Sequence, residues 1–360
     1  MLATAADFVD LPPFWKVAAM KVFLTGGTGL LGNNIARQLS DRGDQVVALV
    51  RDQPADEVFA GVNVEFVPGD LSANKAIDQA IERCDAVIHS AALIHIGWER
   101  MEESMRANRD GTQGIAQAAH RHGKTLVHIG TVNTLAMPPQ RLFGSSSGGS
   151  LLLADERTPI TPETMQVPCA YVLSKRAAVD VVQQQIAQGL DARIVHPGFM
   201  LGPWDWKPSS GRMMLELGRR AYLPACPTGG CSVCDVRDVA AGTLAALDRG
   251  QSGRHYILAG ENWTYRRLWH EMARRMGRPA PVLPIGPLIR ACAAVYGNLS
   301  RSVTGVETDI NSAALKMSSQ MLWFDSSRAR AELGYTNRDL SETLDDAAQW
   351  IGERFLKLSN

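Results

Sequence analysis

Little in this chain favours a membrane, a polyanion or an oxidising compartment. No apolar run reaches the roughly 18 residues that a bilayer-spanning helix needs. Lysine plus arginine and aspartate plus glutamate each number 37, for a formal net charge of +0. That balance gives no electrostatic footing for nucleic acid or an anionic lipid surface. Six cysteines in 360 residues do not make a disulfide framework, so a reducing cytoplasm is expected. Three of them cluster as Cys226, Cys231 and Cys234, the last two as a CxxC. No histidine or second cysteine pair stands nearby to complete a zinc set, so they read as buried thiols on a strand. Residues 1–19 carry Asp7 and Asp10 and lack a basic start before an apolar run. They do not read as a signal peptide but as an extension outside the fold. What remains is an ordinary globular composition, 45% hydrophobic and 21% charged, with a length that suits about two domains.

The clearest positive feature is Thr25-Gly26-Gly27-Thr28-Gly29-Leu30-Leu31-Gly32, directly after the apolar Lys21-Val22-Phe23-Leu24. Leu31, Ile35 and Leu39 then recur at helical spacing. Strand, glycine turn and helix in that order are the context of a dinucleotide fingerprint. Gly26 permits the tight turn, Gly29 lets the backbone approach a pyrophosphate, and Gly32 lets helix pack on strand. The free N–H groups of the helix N-terminus face the anion. The glycines read GxxGxxG rather than the commoner GxGxxG.

Downstream, apolar strands alternate with helices. Val46–Val50, Val64–Val67, Asp85–Ile88, Leu126–Ile129 and Arg193–Val195 read as buried parallel strands. Helices are expected over about 73–83, 109–122 and 171–188. The pattern predicts an α/β fold with a doubly wound parallel sheet over residues 20–198 and a smaller lobe over 199–360. A late strand at His255–Leu258 is expected to return to the main sheet. Gly144–Ser150 reads as a mobile Gly/Ser-rich segment. Val282–Leu299 is largely apolar and reads as a packed helix, with a lid or membrane-facing surface as the alternative.

Tyr171 and Lys175 lie four apart on an expected helix and so share one face. An ammonium beside a phenol favours the phenolate and lowers its pKa, which suits Tyr171 to acid–base work near neutral pH. Alone such a pair is usually a solvated helix face; here it follows a nucleotide fingerprint at the place of a later crossover helix.

In these motifs and their order the chain resembles the extended short-chain dehydrogenases/reductases, and among them the dihydroflavonol-reductase-like and 3β-hydroxysteroid-dehydrogenase-like enzymes. The resemblance covers about residues 20–350. It adds Gly69-Asp70-Leu71 as the element that contacts adenine and His89-Ser90-Ala91-Ala92 along the cofactor. It also adds Asn108-Arg109-Asp110-Gly111-Thr112 as an Asn-x-x-Gly-Thr helix start, Pro197-Gly198 beside the nicotinamide, and Phe324-Asp325 to Leu333-Gly334-Tyr335 near the C-terminus. It implies that Tyr171 exchanges a proton with the substrate oxygen while hydride moves to or from the nicotinamide. Lys175 then holds the nicotinamide ribose, and Asn108 anchors the active-site helix or a relay water. The third hydroxyl falls after strand five, where Thr131 aligns and Thr134 is second choice; a threonine hydroxyl can donate the same hydrogen bond as the usual serine. The implied cofactor contacts are Gly26, Thr28, Gly29, Leu30, Leu31, Gly32, Arg51, Asp70, Leu71, Ala91, Ala92, Lys175, Pro197 and Gly198, with no metal. A homodimer is a further implication.

Cofactor choice rests on the end of strand two. Enzymes specific for NAD place an acidic residue there. This chain has Arg51, which can pair with a 2′-phosphate, followed by Asp52. NADP(H) is therefore favoured and NAD(H) remains open. On the substrate side, Ile94, Trp98, Met200, Trp204, Trp206, Met213 and Met214 lie on segments expected to border an apolar pocket for a small molecule. Two rival readings are a nucleotide-sugar epimerase with tightly held NAD and a non-catalytic cofactor sensor. Arg51 weighs against the first and the Tyr171–Lys175 pair against the second.

Overall fold

The computed structural model describes residues 19–138, 153–286, 307 and 311–356. The strands are β1 (Lys21–Thr25), β2 (Gln45–Val50), β3 (Val64–Pro68), β4 (Ala86–His89), β5 (Thr125–Ile129), β6 (Ala192–Pro197) and β7 (Phe199–Leu201). They continue with β8 (Ala225–Cys226), β9 (Gly230–Asp235), β10 (His255–Leu258), β11 (Glu261–Thr264), β12 (Leu283–Pro284) and β13 (Met321–Leu322). The helices are α1 (Leu30–Asp41), α2 (Asn74–Glu82), α3 (Met101–Met105), α4 (Gly111–Arg121), α5 (Ala170–Ala187) and α6 (Arg212–Arg219). After these come α7 (Val236–Arg249), α8 (Tyr265–Arg275), α9 (Ser312–Met317), α10 (Ser327–Leu333) and α11 (Leu340–Ile351).

Seven strands form one parallel sheet in the order β10-β6-β5-β4-β1-β2-β3. Its strands are apolar on both faces because both are covered. Val22, Leu24, Val46 and Ile88 pack under α1, α7 and α10. Phe23, Val47, Val87 and Ile194 pack under α2, α4 and α5. This is the doubly wound α/β architecture, and its strand order reverses between β1 and β4, where the carboxyl ends of such sheets leave a ligand crevice.

The chain leaves this sheet at Gly198. A Cβ there would lie 2.5 Å from the Ser232 carbonyl oxygen, so only glycine lets the second sheet come this close. That sheet holds β7, β11 and β13 around β9, backed by α6, α8 and α11. Cys231 and Cys234 are buried on β9 and Cys226 on β8; burial pushes the Cys231 thiol up to about 12. β8 pairs with β12, where Val282 and Leu283 are exposed. Most of the apolar run to Leu299, like Gly144–Ser150 and residues 1–18, lies outside the described residues. No described helix is long and apolar enough to cross a membrane.

One helix departs from expectation. The element expected from Arg109 starts at Met101 and passes through a π-helical turn, Arg106–Asp110, before continuing as α4. Such turns are frequent at functional sites. Its buried residue is Asn108.

Candidate active site

The glycine turn is shaped by three different demands. Gly26 has φ +76, and a Cβ on it would lie 2.7 Å from the Ala91 backbone nitrogen. Gly32 packs so tightly on the turn that a Cβ would lie 2.1 Å from the Gly26 carbonyl oxygen. Gly29 is unlike both: its nearest neighbour would be the Gly26 oxygen at 3.4 Å, so one side stays open. Gly29 is also the N-cap of α1 and offers no side-chain cap. The first N–H groups of the helix, from Leu30, Leu31 and Gly32, therefore have no side-chain cap. An uncapped helix start with a backbone cradle fits a pyrophosphate. The structure thus fits a bound dinucleotide.

Just beyond β3, Asp70 accepts from the Ser72 backbone (2.8 Å) and hydroxyl (2.6 Å). These bonds, helped by the charge of Arg51, hold its carboxyl below the usual range. Arg51 and Asp52 are both exposed just beyond β2. Leu71 fits against Gly111, where a Cβ would lie 2.8 Å from the Leu71 Cβ. Ala91 is half-buried, Ala92 is exposed, and Pro197 is buried at the end of β6.

A chain of hydrogen bonds joins this turn to the helix behind the site. The Thr112 hydroxyl donates to the Asn108 carbonyl at 2.5 Å, so it accepts from His89 Nε2 at 3.0 Å. His89 Nδ1 then accepts from the Thr25 hydroxyl at 2.7 Å, whose oxygen accepts from the Ala91 N–H at 3.1 Å. The network fixes the Nε2–H tautomer. It also needs a neutral ring, and burial with the nearby Lys175 charge pulls His89 down to about 3. Sequence reasoning missed this role for Thr25, His89 and Thr112. The available signal was two polar residues ending otherwise apolar adjacent strands.

Asn108 is buried and its amide is fully engaged. Its oxygen accepts from the Leu93 N–H at 2.7 Å; its nitrogen donates to the Leu93 carbonyl and the Ser174 hydroxyl, both at 2.9 Å. Of the two expected roles, this geometry is that of an anchor rather than a water holder.

Tyr171 and Lys175 lie on successive turns of α5, and Thr131 follows β5. The Thr131 oxygen accepts from the Asn133 N–H at 3.3 Å, and its hydroxyl acts on the Tyr171 phenol to favour the phenolate. Thr134 is committed elsewhere, donating to the Thr131 carbonyl at 2.8 Å. One expectation is overturned here. Burial pushes the Tyr171 phenol up, and the group that opposes this is Thr131, not Lys175. The Lys175 ammonium is itself buried, donates to the Ile129 carbonyl at 2.6 Å, and is pulled down to about 8.

The expected substrate residues separate. Ile94 and Trp98 stand exposed on the segment after β4, at 58% and 39%. Met200 packs on the main core, while Met213 and Met214 belong to the core of the second sheet. Trp204 and Trp206 both pack against Trp350, tilted and edge-on respectively, with ring centroids 4.9 Å apart in each pair. The Arg37 guanidinium of α1 covers Trp204 at 3.5 Å. These two tryptophans fasten the C-terminal lobe to the outer side of α1, which removes the sequence-level reason to place them against substrate.

A model of the NAD dependent epimerase/dehydratase family matches residues 22–259. Sterol demethylase protein B of Methylococcus capsulatus is 32% identical over 342 residues, covering 93% of this chain and 99% of that protein. A putative dihydroflavonol 4-reductase of Synechocystis is 30% identical over 344 residues, covering 94% and 96%. The crystal structure of gox2253 superposes with a TM-score of 0.77 at 30% identity, covering 93% of this chain and 98% of that one.

Proposed function

The chain belongs to the NAD-dependent epimerase/dehydratase family and is an enzyme; within that family we propose that it is an NADP(H)-dependent oxidoreductase. It interconverts a carbonyl and a secondary alcohol on an apolar small molecule. The observation that carries this reading is the influence of the Thr131 hydroxyl on the Tyr171 phenol, with Lys175 one turn away from Tyr171 on α5. When bound, the nicotinamide cofactor supplies or accepts the hydride.

The residues divide the rest of the work. The N–H groups of Leu30, Leu31 and Gly32 hold the pyrophosphate, Arg51 the 2′-phosphate, and Asp70 and Leu71 the adenine side. Ala91 and Ala92 line the cofactor's path, and Pro197 and Gly198 flank the nicotinamide. Thr131, oriented by Asn133, donates to the reacting oxygen and orients it. Tyr171 gives or takes the proton there. Lys175 places a cation beside the ribose. Asn108 keeps α5 in register through Ser174. Residues 20–198 thus serve the cofactor, and 199–360 chiefly the substrate.

Two similar proteins bear the names of a sterol enzyme and a dihydroflavonol reductase. Both names point to multi-ring substrates, for which the exposed Ile94 offers an apolar contact. Cysteines 84, 169, 226, 231 and 234 are buried and unpaired, in keeping with a reducing cytoplasm.

The test is NADPH oxidation against a panel of ketones and aldehydes, using the native chain and Tyr171→Phe. Turnover lost in the variant supports the reading. Unchanged turnover overturns it, and NAD released on denaturing the purified protein favours the epimerase instead.

A further inference from the structure

We propose that Glu307 is a positioning residue: it holds the 95–99 loop, and that loop holds the start of the helix that carries Tyr171. The inference rests on the reading of Tyr171 above.

The Glu307 carboxylate sits inside the loop. It accepts from the Trp98 N–H at 3.1 Å, the Glu99 N–H at 3.1 Å and His95 Nε2 at 3.0 Å. These hydrogen bonds outweigh burial and hold its carboxyl below the usual range. Gly97 makes the space. A Cβ there would lie 2.2 Å from Glu307 Oε2 and 2.5 Å from His95 Nε2. Two residues further along the chain tie down the same loop. Asn311 Nδ2 donates to the Ile96 carbonyl at 2.8 Å, and the Ser312 hydroxyl accepts from the Trp98 indole at 2.7 Å.

The other side of the loop meets α5. The Ala170 N–H donates to the Gly97 carbonyl at 2.9 Å, and the Tyr171 N–H to the His95 carbonyl at 3.2 Å. The N-cap Cys169 supplies no side-chain hydrogen bond. The loop carbonyls therefore take the place of a cap, and the direction of the first turn of α5 depends on them. Glu307 touches neither Tyr171 nor the reacting atoms on this account. It acts through two carbonyls, and a shift of the order of 1 Å at an acid–base group is enough to cost up to ~100-fold in rate.

Two substitutions separate this role from general stability. Glu307→Gln keeps the shape but places an NH2 among N–H donors. Gly97→Ala needs no unusual backbone conformation and meets only the movable ends of the Glu307 and His95 side chains, so it folds but parts the carboxylate from the imidazole. In the full chain loaded with NADPH, each should lower kcat roughly tenfold while KM for NADPH stays put. The double variant should be no slower than the slower single, because both break one interaction. Hydrogen exchange at the amides of residues 98, 99, 170 and 171 should rise in each, with β1 unchanged. Glu307→Asp should recover part of kcat. Additive losses in the double variant, or unchanged exchange at 170 and 171, overturn the proposal. The exchange readout needs no turnover, so it stands or falls separately from the reaction assigned to Tyr171.

Discussion

The helices α1 and α5 both begin without a side-chain cap, and the chain treats the two ends in opposite ways. At α1 the glycine turn stops short of the free N–H groups, and Gly29 keeps one side clear. At α5 the His95 and Gly97 carbonyls close over the first two N–H groups. An open helix start is a site for an anion; a closed one is a mount for a side chain. The first end leaves its N–H groups without a side-chain cap and the second fixes Tyr171. The His89 relay runs between them, from Ala91 beside Gly26 to Asn108, which grips α5 through Ser174.

The largest effect should come from the closed end. Tyr171→Phe removes the proton donor and should lower kcat/KM by ~10²–10⁴, with the NADPH dissociation constant unchanged by fluorescence titration. If cofactor affinity falls in step with turnover, the division of labour between the two helix starts is wrong.

Acid should act next, through the relay that joins them. His89 has a folded pKa of about 3 against roughly 6.5 unfolded. The unfolded chain therefore binds the extra proton between those values, and stability falls as pH falls through that window. The slope approaches about 1.4 kcal/mol per pH unit for this one group. Urea denaturation from pH 7 to pH 4 should show the loss, and His89→Gln should flatten the slope by one proton. An equal slope in the variant means that His89 titrates normally.

The open end divides by glycine. Gly32→Ala would place a Cβ 2.1 Å from the Gly26 oxygen, and such overpacking should cost about 1–3 kcal/mol of stability. Gly29→Ala meets only the Gly26 oxygen at 3.4 Å, so thermal stability should hold while cofactor affinity drops. Equal Tm losses in the two variants would show that the space at Gly29 is not reserved for a ligand.

The same contrast explains what could be read from the sequence. The sheet, the glycine turn and the Tyr171–Lys175 spacing are local patterns, each written within one strand, turn or helix, and the parallel sheet with helices on both faces follows from them. Contacts between distant segments were not legible. Trp204 and Trp206 read as pocket aromatics because Trp350, their partner, lies far along the chain. Glu307 meets donors 208 to 212 residues away, and nothing around it marks it out. Lys175 read as the group that tunes Tyr171, yet burial and the Ile129 carbonyl decide where its charge goes.

The smallest effect tests which dinucleotide the open end is built for. Arg51 is exposed beyond the end of β2, within electrostatic reach of Asp70. A phosphate in reach of the guanidinium gains charge-assisted hydrogen bonds, weakened by solvent and salt. Arg51→Ala should therefore raise the NADPH dissociation constant by only about tenfold, near 1.4 kcal/mol, and leave NADH binding as it was. The difference should shrink as ionic strength rises. Asp52 stands one residue further on and would favour ribose hydroxyls instead. If the variant binds NADH more tightly and NADPH no worse, Asp52 sets the preference, and the open end of α1 belongs to an NAD enzyme.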